Sequence, residues 1–367
     1  MAVPFLNFTK LHDGPFQEKL LQRFAKILSA NSFIEGEWNT SFEKKFAEMH
    51  GARHCLLTAN GTDALEISLL ALGIMPGEFV ALPAISFFAS AEAIMNIGAL
   101  PVFFDIDPRT GLGCPKSLTK IIHDYPIKAV MPVHIYGLPA AVEEMQEICS
   151  TTGIPMVEDA AQGEGTILLN GPVGSTNSLT TFSFYPTKNL SAMGDAGCIL
   201  TQDDQLAEKI KSLRNHGRSP AGTILAGRNS RCDHMQAAVL DLKLENQRAQ
   251  NNLRKKIAAQ YFQELSTLPI QLMPKEMLER SSWHVYPIKL DSPEHRKALQ
   301  KRLQEKSIGN APFYELALPQ ERPCQNFPGE WAHALKFAGH TLCLPMHPFL
   351  TEDEVIEVSQ EIKNFFI

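Results

Sequence analysis

Between about residue 52 and residue 201, short apolar runs alternate with longer stretches of helical period. "HCLLTA" ends at Ala59 and a helix is predicted from Thr62. "FVAL", "PVFFD", "AVMPV" and "IPMVE" follow, separated by stretches such as "FFASAEAIMNIG" and "AAVEEMQEICSTTG". This alternation predicts a mostly parallel sheet with helices on both faces, an α/β domain. Upstream, "QEKLLQRFAKILSA" places Leu20, Leu21, Phe24, Ile27 and Leu28 on one helical stripe, and Thr40 with Glu43 reads as the capping box of a second helix. After residue 233, "DHMQAAVLDLKLENQRAQNNLRKKIAAQYF" predicts a long helix that bridges to a second domain. The remainder holds a strand-like "WHVYPIKL", a charged helix near 294 to 306 and a terminal helix opened by the capping box "TEDE". The expected division is a large α/β domain with N-terminal helices over 1–240, and a bridging helix with a small C-terminal α+β domain over 241–367. No internal repeat or low-complexity linker interrupts it.

A length of 367 residues exceeds the usual size of one domain and supports a large buried core. The formal net charge is -6 with the two signs interspersed, and no basic block interleaves with aromatics, so nucleic acid is not an expected partner. The N-terminus lacks a basic region followed by a sustained apolar run, and later apolar stretches are soon cut by charges, Gly or Pro. A cytoplasmic protein with no membrane span is expected. Seven cysteines, an odd number without a CxxC pair, point to a reducing compartment and buried structural thiols.

Three places carry chemistry. In "TANGTDALEISLLALG" the chain turns at Asn60-Gly61 and a helix starts, so unpaired amides and the positive helix end face one point suited to a phosphate. The same Asn-Gly pair also serves as a routine turn. "IPMVEDAAQGEGT" delivers Glu158 and Asp159 to the carboxyl end of a strand, where ligands collect in open α/β sheets; Asp159 could equally cap the next helix. Then "FSFYPTKNLSAMGDAG" breaks an apolar run at Pro186 and offers a single lysine, Lys188. A lysine that forms a Schiff base, a strand-end carboxylate that holds a pyridine nitrogen protonated and a helix end that grips a phosphate are together the needs of pyridoxal 5'-phosphate.

The sequence resembles the DegT/DnrJ/EryC1/StrS sugar aminotransferases, which have the aspartate-aminotransferase-like fold. The resemblance runs from "SFIEG" near residue 32 to "LPMHPFLTEDEV" and rests on "NGTDAL", "GIMPGEFVALPAISFFASAEAI", "PVFFDIDP", "PVHIYG", "VEDAAQ", "FSFYPTKNL", "GDAG", "LRNHG" and "NSRCDHMQAA", in that order. It implies that Lys188 is the Schiff-base lysine and proton relay and that Asp159 pairs with the pyridine nitrogen. It places Gln162 near the ring hydroxyl, Phe87 on the ring face, and Gly61, Thr62 and Ser183 around the phosphate. Asn229 would reach the phosphate of a neighbouring subunit, which implies a homodimer with shared active sites. Related sugar dehydratases carry histidine in place of the lysine, so Lys188 points to transamination. The implied reaction moves an amino group from L-glutamate to a keto or aldehydo sugar, expected to be nucleotide-linked. The setting is the making of bacterial surface polysaccharide, such as lipopolysaccharide O-antigen, or of other deoxyamino sugars. Another PLP reaction, dehydration or elimination, and a non-catalytic PLP-binding regulatory protein are the alternatives.

The chain departs from the pattern at Asn60, where serine is usual, and at "GNAPFYELALPQ" (309 to 320), where many relatives have a "HYP...LHLQ"-like segment lining the sugar-nucleotide site. "QGEGT" replaces the common "QAHGA", and Glu164 is expected to face solvent. Asp105 and Asp107 fit a turn better than acid-base or metal work. His333, His340 and His347 recur every seven residues without a supporting cluster, so no metal is expected. His134, Tyr136 and His216 carry modest weight as site residues.

Overall fold

The computed structural model describes residues 2–367. Seven strands build the main sheet: β1 His54–Thr58, β2 Phe79–Pro83, β3 Leu100–Phe104, β4 Ile127–Val130, β5 Val157–Asp159, β6 Leu179–Ser183 and β7 Gly197–Thr201. Two ladders, β3-β2-β4 and β1-β7-β6-β5, meet through parallel bridges at Val130–Met156 and Val133–Asp159. The order across the sheet is therefore 3-2-4-5-6-7-1, all parallel except β7, which runs against both β6 and β1. These strands read as continuous apolar runs because both sheet faces are covered, and every residue of β7 is buried. The carboxyl ends of β1, β5 and β6 and the amino end of β7 share one edge, where Gly197 lies between Thr58 and Ser183.

The N-terminal helix Gly14–Ala30 forms, but its stripe is narrower than predicted. Leu20 and Ile27 are buried, with Leu20 and Phe24 packed on Val239 and Leu242, whereas Leu21 and Leu28 are 66% and 62% exposed. The next helix, Glu37–His50, does not use the predicted Thr40–Glu43 box. Gly36 is its N-cap, pressed so closely on the His234 ring that a Cβ would stand 2.1 Å from it, and Trp38 N–H donates to His234 Nε2 at 3.3 Å. That tertiary contact starts the helix early. Glu43 instead accepts from Leu57 N–H (2.8 Å) and the Arg214 guanidinium (2.9 Å).

A short hairpin of β8 Arg218–Ser219 and β9 Gly222–Thr223 precedes the long helix His234–Leu265, which spans the predicted bridge. Beyond it, β10 Gln271–Leu272, β11 Tyr286–Lys289 and β12 Thr341–Leu344 form an antiparallel sheet, flanked by helices Pro293–Glu305 and Glu352–Lys363. The "TEDE" box is formed, with Thr351 Oγ1 accepting from Glu354 N–H at 3.2 Å and Glu354 Oε2 accepting from Thr351 N–H at 2.8 Å. The strand read from "WHVYPIKL" begins only at Tyr286, because Trp283 sits in the left-handed region (φ 51°) and breaks the extended run.

Asp105 and Asp107 are structural. Asp105 accepts from the His333 and Ala334 amides at 2.8 and 2.9 Å, and Asp107 accepts from Arg109 N–H at 2.8 Å in the turn. Six of the cysteines are buried and Cys114 is half-buried, all as free thiols. Among the described residues, no helix is long and apolar enough to cross a membrane.

Candidate active site

The site is built at the shared sheet edge. The chain leaves β1 at Thr58, turns, and starts helix Gly61–Ala71 with Asn60 as N-cap, whose side chain accepts from Asp63 N–H at 2.7 Å. That bond uses the third amide of the first turn and leaves the Gly61 and Thr62 amides at the positive end of the helix. Glycine is required on both sides of this turn. A Cβ on Gly61 would stand 2.7 Å from Ser183 Cβ, and one on Gly197 would stand 2.5 Å from the Asn60 carbonyl carbon and oxygen. Helix start, Ser183 and β7 therefore close on one another as a narrow cradle of amides and a hydroxyl, which fits the demands of a phosphate.

Asp159, at the carboxyl end of β5, is 4% exposed. Its Oδ1 accepts from Ala161 N–H at 3.0 Å and its Oδ2 from Ser90 Oγ at 2.6 Å. Because the Ser90 proton is directed to Asp159, the 2.6 Å contact between Ser86 Oγ and Ser90 Oγ is donated by Ser86. A two-hydroxyl chain thus fixes the carboxylate in place. This pair was not found from sequence; its signal was two serines four apart at the start of helix Ala89–Asn96.

The loop after β6 doubles back, with Lys188 N–H donating to Tyr185 O (2.8 Å) and Ala192 N–H to Phe184 O (2.7 Å). Burial lowers the Lys188 pKa from its ordinary 10.5 to about 8, opposed by the nearby Asp159 carboxylate. Lys188 and Asp159 are thus brought together, and the amine keeps a substantial neutral, nucleophilic fraction near neutral pH. The next residue ties the loop to the segment that precedes β11. Asn189 Nδ2 donates to Ser282 O at 3.1 Å, and Asn189 Oδ1 lies 3.4 Å from Nδ1 of His284. Burial, then the charges of Lys188 and Arg254, push the His284 pKa well below its ordinary value, so a neutral imidazole backs the lysine loop.

Gln162 lies in the turn after β5, its Oε1 accepting from Tyr136 N–H at 2.6 Å and its Nε2 donating to Tyr314 Oη at 3.1 Å. Phe87 is 59% exposed, its ring 6.2 Å from that of Tyr314 and tilted by 36°. Asn229 lies in the loop before the long helix. It lines a surface hollow with Ile34, Ala59, Asp195 and Arg231, and its Oδ1 accepts from the Arg231 guanidinium at 2.7 Å. His134 is wholly buried; its Nδ1 accepts from Ala140 N–H (3.1 Å), so Nε2 carries the proton donated to Glu158 at 3.1 Å. This pair supports β5 from behind. His216 has φ 58° and serves the loop in which its amide donates to Arg228 O at 2.8 Å.

Glu164 departs from expectation: it is 6% exposed, not solvent-facing. Its carboxyl accepts from Gln247 Nε2 at 2.5 Å and Asn251 Nδ2 at 3.2 Å, both on the long helix. Burial raises its pKa from 4.5 to about 7, opposed by those two hydrogen bonds and by Arg254. Arg254 in turn donates to Trp283 O (3.2 Å) and Met346 O (2.9 Å).

A profile of the DegT/DnrJ/EryC1/StrS aminotransferase family matches residues 16–363. The chain belongs to this family. It is 33% identical to the UDP-N-acetyl-3-dehydro-alpha-D-glucosamine 3-aminotransferase of Acidithiobacillus ferrooxidans, covering 99% of this chain and 98% of that one. It is 35% identical to a pleiotropic regulatory protein of Geobacillus stearothermophilus (100% and 99% covered) and 31% identical to the 3-oxo-glucose-6-phosphate:glutamate aminotransferase of Bacillus subtilis (98% and 85%). Among solved structures, Streptomyces venezuelae DesV, captured with a ketimine intermediate, superposes with a TM-score of 0.94 at 31% identity, covering 99% of this chain and 98% of that one. Pyridoxal phosphate is the cofactor of these enzymes, and the cradle, the buried carboxylate and the lysine whose pKa is lowered by burial fit it.

Proposed function

We propose that this chain is a pyridoxal 5'-phosphate-dependent aminotransferase that moves an amino group from L-glutamate to a keto sugar, nucleotide-linked, in amino-sugar biosynthesis. The observation that carries this reading is the meeting of Lys188 with Asp159 beside the Gly61–Ser183–Gly197 cradle. When bound, pyridoxal phosphate supplies an aldehyde carbon for the amine and a protonated ring that accepts the electron pair left when the α-proton departs.

In this reading Gly61 and Thr62 amides and the Ser183 hydroxyl hold the phosphate. Asp159, clamped by Ser90, would hold the proton on the ring nitrogen. Phe87 covers one face of the ring and Gln162 borders it. Lys188 Nζ would be the amine that anchors the cofactor covalently and, once released by an incoming amino acid, the base that holds and moves the α-proton. Asn229, at the rim of a surface hollow, serves the phosphate of a second copy, which makes a homodimer with shared sites. The large unit over 1–240 then carries the cofactor, and the unit over 241–367 supplies the segment that faces the sugar. A cytoplasmic location suits a substrate made and used on nucleotide carriers.

A lysine at position 188, rather than histidine, favours transfer over dehydration. A regulatory role alone would need neither the lysine nor its clamped carboxylate. The test is a pair of measurements on purified protein reconstituted with PLP. L-Glutamate should convert the absorbance of the lysine-bound cofactor to that of the amino form with stoichiometric 2-oxoglutarate, and a keto sugar nucleotide should reverse it. No visible absorbance band, or full turnover by Lys188→Arg, defeats the reading.

A further inference from the structure

Arg254, on the long helix, is 5% exposed. Its Nη1 donates to the Trp283 and Met346 carbonyls, and among the described residues its Nε and Nη2 hydrogens meet no protein acceptor. Glu164 is the carboxyl whose charge acts on it. Both oxygens of that group are occupied by Gln247 and Asn251, however, and burial keeps it protonated up to about pH 7. A buried guanidinium with two donors left over and no bonded counter-charge is costly unless something else supplies the negative charge.

Arg254 lines a cavity of about 20 Å³, room for one body the size of a water molecule or a monatomic ion. His347 stands in the same wall, three residues after β12 and 3% exposed. The Pro4 backbone faces its ring, but neither ring nitrogen reaches hydrogen-bond geometry with the protein. Burial, then the charge of Arg254, lowers its pKa to about 4, so it is a neutral imidazole with one N–H to donate. Thr187 and Lys188 of the lysine loop form another side, and the N-terminal segment closes the cavity with Asn7 and Leu11. That segment is pinned in place, with Gly309 N–H donating to Val3 O at 2.8 Å and Lys10 Nζ to Phe349 O at 3.4 Å. Lys188 apart, the walls share no residue with the cradle and clamp built around Gly61, Ser183 and Asp159.

We propose that this cavity is a binding site for a small monovalent anion, chloride under ordinary conditions, held by the Arg254 guanidinium and the His347 N–H. Two basic side chains, Arg254 and Lys188, line it, and among the described residues no Asp or Glu does, which favours an anion over a water molecule. A cavity of that volume leaves no room for a phosphate or sulfate. The ion ties the long helix, the end of β12, the lysine loop and the N-terminal segment to one point, so it contributes stability rather than chemistry. The inference does not depend on the aminotransferase reading.

The experiment uses the full chain loaded with PLP, and bromide as the probe. Crystals grown with sodium bromide and measured above the bromine absorption edge should show an anomalous peak in contact with Arg254 and His347, and the peak should persist when L-glutamate is present. In solution, exchanging gluconate for chloride at constant ionic strength should raise Tm in a saturating manner, by about 2 °C at roughly ten times the dissociation constant. His347→Phe, which keeps a flat ring and removes the N–H, should lose that rise. No anomalous peak in the cavity, a water molecule at full occupancy there, or an equal Tm rise in His347→Phe overturns the proposal. So does a peak without any effect of chloride on Tm, which is binding at crystal concentration only. Loss of the peak with L-glutamate assigns the donors to a substrate carboxylate and overturns it too. Because the bromide and chloride measurements are made on wild type, they decide the matter even where His347→Phe fails to fold.

Discussion

Replacing Glu164 by Gln should stabilise the protein, and by more as pH rises. The folded state binds the Glu164 proton up to about pH 7, whereas an exposed glutamate releases it near 4.5. Between those values the unfolded chain holds fewer protons, so stability falls with rising pH across this window, and the penalty is fully present above pH 7. At about 1.36 kcal/mol for each pH unit, the gap corresponds to about 3 kcal/mol, most of which develops between pH 5 and pH 8. Glutamine keeps one acceptor for Asn251 and carries no charge to desolvate. With an unfolding entropy of about 2 cal/mol/K per residue, a chain of this length should show a Tm gain that grows by about 3 °C from pH 5 to pH 8. Parallel thermal melts of wild type and Glu164→Gln at several pH values measure it. A Tm difference independent of pH, or a variant that loses stability as pH rises, would refute the reasoning and show Glu164 ionised against Arg254.

Three further outcomes follow from the site. In PLP-free protein, the reactivity of Lys188 toward an amine-specific acylating reagent should rise with a midpoint near pH 8, and Asp159→Asn should move that midpoint down, because the carboxylate opposes the effect of burial; mass-spectrometric rates at residue 188 would show it. Gly197→Ala drives a methyl into the Asn60 carbonyl and should weaken PLP binding at least ~10-fold, comparable to losing one or more cradle hydrogen bonds; a dissociation constant equal to wild type refutes the cradle. Thr351→Ala should cost about 1 kcal/mol of stability with no change in PLP affinity, since it removes only a helix cap remote from the cradle.

The parallel sheet, the long bridging helix and the "TEDE" cap were legible because each is written locally, as apolar runs, helical period or a cap of four residues. What failed was decided by contacts distant in sequence. The helix at Glu37 starts early because the His234 ring meets Gly36, and nothing near Thr40 signals it. Glu164 looked like loop charge because its partners, Gln247 and Asn251, lie more than eighty residues on. At the site, Lys188, Asp159 and the Gly61 turn each stood out as chemistry at the end of an apolar run. The groups that orient them, Ser90 beside Asp159 and Asn189 beside Lys188, are ordinary residues whose roles exist only after folding.

The reversed strand β7 has a mechanical consequence. A lysine on a link between two parallel strands would depend on a crossover that must carry the chain back to the opposite edge of the sheet. Here β6 delivers residues 184–196 and β7 receives them at the same edge, so both ends of the lysine-bearing segment are bolted into core strands, β7 buried throughout and β6 buried up to Phe182. The nucleophile rides on a short bracket rather than a tether. Its position is therefore as stiff as the core itself, and motion needed to admit or release a sugar has to come from the other wall of the cleft.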